Sequence, residues 1–395
     1  MKIVADENIP YIRDACEACD ACEACDACER LGEVELLPGR SLTAAGVRDA
    51  ECLFVRSVTR VDRALLEGSA VRFVGTATIG TDHVDEAYLA EAGIGFASAP
   101  GSNAVSVAEY VVAALLALAG QGGFPLEGRT LGVVGVGNVG SRVVKRARVL
   151  GMTVLQNDPP RARVEGEKDF VPLDALLEAS DFVSLHVPLE RSGPEATFHL
   201  ADDRFFERMK PGAVFLNTAR GPVCDEASLA GALDAGRVAA AVLDVWENEP
   251  AIDGALLERA ELATPHIAGY SLDGKANGTA MVVNAARRFF GLAGEWCPAA
   301  CLPRPEAPRL ALDCRGRSFE EVVRRAVRAL YDIDADDARL RGMLRLPPGE
   351  RPRHFDRLRR EYPPRREFAG VTLELENAPP GLAKALAGLG FRMER

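Results

Sequence analysis

Positive charge is in deficit: 47 Lys and Arg stand against 58 Asp and Glu, a net charge of −11. That balance argues against a general attraction to nucleic acid or to anionic membranes. Long hydrophobic runs are also lacking. The opening Met1-Lys2-Ile3-Val4-Ala5-Asp6-Glu7-Asn8 has no extended apolar core, so no signal peptide is expected. Val105 to Ala119 is apolar but short and interrupted by Glu109, which reads as a buried helix rather than a membrane span. Histidine occurs only five times, which leaves few candidates for a neutral-pH base. Cysteine, by contrast, occurs ten times, and without a leader this predicts reduced thiols in the cytoplasm rather than disulfides. At 395 residues, 48% hydrophobic and 27% charged, the chain has the balance of an ordinary enzyme of two or three domains.

The most informative stretch is residues 130–158. Leu131 to Val134 predicts a buried parallel strand running into Gly135, Gly137 and Gly140, spaced G-x-G-x-x-G, with Asn138 and Val139 between them. Val139, Val143, Val144, Ala147 and Leu150 then recur at helical spacing. A second strand, Met152 to Leu155, ends near Asp158. Gly135 permits a tight turn, Gly137 lets backbone approach a pyrophosphate, and Gly140 lets helix and strand pack closely. The helix N-terminus offers N–H groups to phosphate, and Asp158 can accept hydrogen bonds from a ribose diol. An acid there would repel a 2′-phosphate, so NAD is favoured over NADP.

Elsewhere strands and helices alternate in the manner of parallel α/β sheets: Lys2–Ala5, Glu33–Leu37, Cys52–Val55 and Val71–Gly75 before the fingerprint, Phe182–His186, Ala213–Asn217 and Ala239–Val245 after it. Asp6-Glu7-Asn8 and Pro10 predict the start of a helix. Gly120-Gln121-Gly122-Gly123 reads as a linker. Three hydroxyl-rich loops, 56–59, 76–80 and 100–103, follow strands and are candidate substrate loops, although ordinary turn and cap chemistry would use the same residues. From Ala15 to Glu29 the unit A-C-E-A-C-D occurs twice and is followed by half a copy. Its cysteines, three apart, drift 60° per step around a helix, so neighbouring pairs could share a soft metal but all five could not converge. A tandem duplication lengthening a surface helix is the plainer reading, and no metal is expected. An Arg- and Pro-rich stretch at 347–366 carries interleaved acids, which reads as a solvated or subunit-contacting face rather than a nucleic-acid site.

Arg220, Glu249 and His266 stand at predicted strand or loop ends. Oxidation of a 2-hydroxy acid needs a cation for the carboxylate, a base for the hydroxyl proton and a group that tunes the base. Arg, His and Glu fit those roles in turn. Taken singly, each also has a plain structural explanation.

The motifs V-G-V-G-N-V-G, N-T-A-R-G, D-V-W-E-N-E-P and T-P-H-I-A-G-Y come in the order that resembles the D-isomer-specific 2-hydroxyacid dehydrogenases. The likeness covers nearly the whole chain, including the opening M-K-I-V-A-D-E-N-I-P-Y and the loops V-R-S-V-T, G-T-A-T-I-G-T-D-H-V-D-E-A and A-P-G-S-N-A. The tail is similar to that of a branch with an added C-terminal dimerisation domain. The resemblance implies an α/β fold with a Rossmann-type NAD domain (103–266) inserted in a flavodoxin-like substrate domain (1–102 and 267–294), plus a small α+β dimerisation domain (295–395). It implies NAD as cofactor, a phosphorylated 2-hydroxy acid as substrate, a homodimer, and neither nucleic-acid nor membrane partners. Arg220 would then orient the carboxylate, His266 accept the proton and Glu249 partner it. Asp158 would hold the adenosine ribose. Gly135, Gly137, Asn138, Val139, Gly140, Val187, Ala219, Asp244 and Gly269 would line the cofactor. Ser57, Thr78 and Tyr270 would contact substrate, with Arg56 a candidate for its phosphate. His83, His186, His199 and His354 have no acid or base role in these motifs. Two departures stand out. Removing two copies of the six-residue unit restores the family's usual first helix, and the loop Gly101-Ser102-Asn103 lacks the family's usual Cys, while Ala219 stands where a second Cys or an Ala is usual. Rival readings are a 3-phosphoglycerate or glycerate specificity on the same frame, an NAD-sensing binding protein, and metal storage in the Cys repeat.

Overall fold

The computed structural model describes residues 1–17, 29–305 and 307–394. The chain forms two compact units, Met1–Asn103 with Ser271–Arg304, and Ala104–Tyr270 with Pro305–Arg395.

In the first unit the strands β1 (Lys2–Asp6), β2 (Glu33–Leu37), β3 (Cys52–Val55), β4 (Phe73–Thr76) and β5 (Gly95–Ala97) form one parallel sheet in the order β2-β1-β3-β4-β5. That is the flavodoxin-like order. β3 and β4 are buried at every position, as strands covered by helices on both faces must be. The first helix begins at Ile12, later than the sequence suggests. Asp6 spends its Oδ1 on the N–H of Asn8 at 2.8 Å, closing a turn instead of capping a helix. The returning helix Leu272–Phe289 is capped by Ser271, whose hydroxyl accepts from the N–H of Gly274, and it buries Ala276, Val282, Val283 and Ala286.

Most of the cysteine repeat, including Cys19, Cys22, Cys25 and Cys28, lies outside the described residues. Its flanks are informative. Leu31 donates its N–H to the carbonyl of Cys16 at 2.8 Å, and the Arg287 guanidinium donates to the carbonyls of both Ala15 and Glu29. The described residues on either side of the repeat are therefore tied to one another and to Arg287. Burial pushes the Cys16 thiol up to about 12, which favours an inert core side chain over a thiolate ligand. Among the described residues no group of three or more His, Cys, Asp or Glu could hold a metal ion.

The second unit holds a six-stranded parallel sheet of β6 (Thr130–Val134), β7 (Thr153–Asn157), β8 (Phe182–Leu185), β9 (Ala213–Asn217), β10 (Val238–Leu243) and β11 (Leu262–Ala263), in the order β7-β6-β8-β9-β10-β11. Beyond β7, Val171 donates its N–H to Gln156 and extends the sheet by one link. Asp202, Asp225 and Asp253 each accept an N–H from the first turn of the helix that follows, so the sequence marks these helix starts with its own side chains. The helix Ala104–Gly122 is long and apolar enough to cross a membrane, yet it is mostly buried and forms the centre of this unit's core. It runs through Gly120 and Gly122, where a linker is suggested by composition. Gly120 is small because the Arg324 guanidinium lies against it, so the glycine serves packing and not chain reversal.

Residues beyond 305 add β12 (Arg309–Asp313), β13 (Thr372–Glu376) and β14 (Arg392–Met393), a parallel sheet in that order. Val322, Val323, Ala326, Leu386 and Leu389 share one core with Val111, Leu115 and Val144. At roughly 1.5–3 kcal/mol for each fully buried aliphatic side chain, this junction is a major source of the unit's stability.

Candidate active site

The fingerprint lies where β6 meets the helix Gly140–Val149. Gly135 has φ +85°, the left-handed region that glycine enters without strain, and a Cβ there would strike the His186 backbone. A Cβ on Gly140 would overlap the Gly135 carbonyl, so only glycine brings helix and strand this close. Gly137 differs: nothing lies within 4 Å of where its Cβ would be, and Gly137 and Asn138 are exposed. An open backbone surface at a helix N-terminus suits a pyrophosphate. Asp158 follows β7, accepting from the N–H of Val136 at 2.8 Å and of Arg161 at 3.1 Å. Its carboxylate is thereby held beside the glycine turn, as a ribose ligand requires. Val187 packs next to Gly135. The residues present fit a dinucleotide.

β9, β10 and β11 are adjacent and parallel, so the loops that follow them share one edge of the sheet. Arg220 comes three residues after β9, and its Nη1 donates to the Ala219 carbonyl at 2.8 Å. Gly221 abuts the Trp246 carbonyl so closely that no Cβ could fit, which fastens the Arg220 turn to the loop after β10. In that loop Glu249 accepts the N–H of Trp246 with Oε1 at 2.9 Å and meets His266 Nδ1 with Oε2 at 2.7 Å. Burial would raise the Glu249 carboxyl, but the charge and hydrogen bond of His266, the Arg359 guanidinium and the Trp246 N–H together hold it below its ordinary value. With Nδ1 engaged, the ring presents Nε2 as its remaining nitrogen.

Asp244, expected at the nicotinamide end, is buried, and its carboxylate builds the loop that carries His266. Oδ1 accepts from Thr264 Oγ1 and the Ile267 N–H, both at 2.7 Å, and Oδ2 from the Ala268 N–H at 3.0 Å. Trp246 Nε1 adds a bond to the Thr264 carbonyl at 3.1 Å. His266 sits at φ +58°, a conformation that this surrounding network holds in place. Ala219 is buried with its N–H on Asn217 Oδ1, while Gly269 and Tyr270 end the same loop partly exposed.

The substrate loops belong to the first unit and follow β3, β4 and β5, which are also neighbours. Ser57 is exposed. Thr78 Oγ1 lies 2.7 Å from Thr76 Oγ1 and donates to the Gly80 carbonyl. Arg56 donates from Nε to the buried Asp6 at 3.0 Å, so part of its guanidinium is committed within the fold. His83 and His199 pair with Thr76 and Glu247 respectively. His186 is held down to about 3 by burial and is therefore a neutral hydrogen-bonding residue between Ser184 and Thr218.

Sequence reasoning missed the contribution of the C-terminal residues. The basic stretch is exposed at Arg353, Arg357 and Arg360, as a solvated face should be, but Arg365 is 7% exposed. Its Nη2 donates to Ser106 Oγ and the Ala268 carbonyl, and its guanidinium stacks on Tyr331 at 4.0 Å. The adjoining P-P was a weak hint, since it marks where a helix must stop and the chain turns inward.

The family described as D-isomer specific 2-hydroxyacid dehydrogenase, NAD binding domain, matches residues 116–268, and a domain of unknown function matches 301–390. The erythronate-4-phosphate dehydrogenase of Cronobacter sakazakii is 47% identical over 99% of this chain and 98% of its own. That of Klebsiella pneumoniae is 46% identical over the same shares. Among solved structures, the D-lactate dehydrogenase of Aquifex aeolicus, complexed with NAD and lactic acid, has a TM-score of 0.58 at 26% identity, covering 74% of this chain and 96% of its own. With identity at this level from end to end, the chain belongs to the erythronate-4-phosphate dehydrogenases, within the D-isomer specific 2-hydroxyacid dehydrogenases.

Proposed function

We propose that the protein oxidises 4-phospho-D-erythronate at C2 to (R)-3-hydroxy-2-oxo-4-phosphooxybutanoate in the biosynthesis of pyridoxal 5′-phosphate. The observation that carries this reading is the His266–Glu249 pair at 2.7 Å, on the same sheet edge as Arg220, in a chain that matches its curated relatives over 99% of its length. NAD, when bound, supplies the hydride acceptor. Gly135, Gly137, Asn138, Val139 and Gly140 would hold its pyrophosphate, Asp158 its ribose, and Val187, Ala219, Asp244 and Gly269 its nicotinamide half. Asp244 would do so chiefly by shaping the loop at 264–268.

Arg220 would bind the substrate carboxylate through its two-pronged donor face. His266 Nε2 would accept the C2 hydroxyl proton, and Glu249 would stabilise the imidazolium so formed. Ser57, Thr78 and Tyr270 would contact the substrate, and Arg56, turned partly toward Asp6, is the candidate for its phosphate. The first unit would serve as the substrate domain and the residues after 305 as the dimerisation domain of a cytoplasmic homodimer. The test is NADH formation at 340 nm from purified protein with NAD and 4-phosphoerythronate, 3-phosphoglycerate or glycerate. Turnover that favours the first supports the reading. A preference for either of the others moves the specificity, and no turnover with any of them overturns it.

A further inference from the structure

The helix Arg351–Arg360 belongs to the C-terminal match, well outside the NAD-binding match that ends at 268. Yet its penultimate residue, Arg359, reaches Tyr270 at the end of the loop that carries His266. Arg359 hydrogen-bonds the Tyr270 side chain and stands 5.7 Å over its ring. Its Nε is buried without a hydrogen-bond partner. Tyr362, one turn on, sets its ring against Tyr270 at 6.0 Å and 78°, edge to face, and donates its hydroxyl to Asp336 at 2.7 Å. Arg365 then binds the carbonyl of Ala268, two residues before Tyr270. The loop that carries His266 is thus held on one side by Asp244 and on the other by three side chains of the C-terminal segment.

We propose that Arg359 is a positioning residue of the dehydrogenase reaction, holding Tyr270 toward the substrate and setting a fixed cation beside the loop that carries His266. The proposal rests on the dehydrogenase reading above. The charged groups that act on Glu249 are His266 first and Arg359 after it, and Glu226 is an acid close to it. With solvent largely excluded and an acid nearby, Arg359 adds to the charge of His266 in favouring the carboxylate form. A surface arginine would do neither job. A guanidinium whose Nε is buried and unpartnered carries a desolvation cost that ordinary helix packing does not require.

The experiment compares wild type with Arg359→Gln, Arg359→Met and Arg359→Lys by steady-state kinetics from pH 5 to 9, with NADH binding followed by fluorescence. Both neutral variants are expected to lose about tenfold or more in kcat with NADH affinity unchanged. The acid limb of their kcat profile should move up by about one pH unit, because Glu249 without the cation protonates earlier. Arg359→Lys keeps the charge and should keep the limb at its wild-type position. A wild-type limb and kcat in both neutral variants would overturn the proposal. So would a lysine variant no different from the neutral ones, which would mark a packing role only. Wild type run alongside separates the two ideas: no turnover by wild type on any of the three acids overturns the dehydrogenase reading, and this proposal with it.

Discussion

Replacing Glu249 by Gln isolates the charge of the His266 partner from its shape. The amide keeps the side-chain length but has one oxygen where the carboxylate has two. With that oxygen facing Nδ1 of His266, where Oε2 now stands at 2.7 Å, the acceptor is neutral, and the amide NH2 takes the place of Oε1, which now accepts the Trp246 N–H at 2.9 Å. A hydrogen bond to a charged group contributes about 1.5–3 kcal/mol, and a neutral one about 0.5–1.5. The lost difference, about 1–2 kcal/mol, falls chiefly on the state in which the imidazole has taken the substrate proton and become a cation. Glu249 and the ring lie mostly out of water, with side chains 18% and 31% exposed, so the upper end of that range applies. About 2 kcal/mol corresponds to a kcat reduced ~30-fold. The assay is initial-rate NADH formation with saturating 4-phosphoerythronate, alongside the affinity for NAD. A kcat within twofold of wild type would refute the idea that the Glu249 charge supports proton transfer. A matching loss of NAD affinity would place the residue in cofactor binding instead.

His266→Ala and Arg220→Ala should each lower turnover by several orders of magnitude with NADH binding kept, and near-normal turnover in either would sink the assignment. The glycines separate fold from binding. Gly140→Ala forces a Cβ into the Gly135 carbonyl and should lower the Tm by many degrees, whereas Gly137→Ala meets no atom within 4 Å and should leave the Tm alone while weakening NAD binding. Glu226 lies beside Glu247, Asp253 and Glu249, and burial first, then those charges, raise its carboxyl to about 7 against the Glu247 N–H that opposes them. The folded protein therefore holds a proton that the unfolded chain releases above about 4.5, so this group costs stability as pH rises from 4.5 through 7. Glu226→Gln should stabilise by up to about 3 kcal/mol at pH 8 and by little at pH 4.5, read from denaturant midpoints, and an equal gain at both would contradict the account. Deleting residues 15–26 leaves Ala27-Cys28-Glu29 in the place of Ala15-Cys16-Glu17, the same three residues. Activity should persist and zinc content should not change, whereas a fall in bound zinc with the deletion would revive the metal reading.

Much of this protein is written locally. The alternation of β3 and β4 with their helices, the caps at Asp202 and Asp225, and the run from β6 through three glycines to Asp158 depend on neighbours in sequence, so patterns of two, three and four residues announce them. The candidates Arg220, Glu249 and His266 could be picked out for a related reason. Each follows a strand of one parallel sheet, and the order of strands brings their loops to one edge. Asp244 was expected at the nicotinamide end, but its use as a brace for the Thr264–Ala268 turn depends on distances that no spacing encodes. β12 and the helix Ile333–Arg341 were not foreseen, since β12 finds its parallel partner some sixty residues on and the helix carries mostly charged side chains. Residues 347–366 read as a solvated or subunit-contacting face, because an isolated arginine-rich stretch has no visible reason to be dry. Only the packing of the C-terminal residues against the helix Ala104–Gly122 and the loop ending in Tyr270 turns two of those arginines inward. The sequence by itself determined the cofactor fold and pointed to the candidate reacting groups, because local patterns and strand ends carry that chemistry. Tertiary structure alone decided what holds those groups in place, because burial and hydrogen bonding between segments a hundred residues apart exist only once the chain is folded.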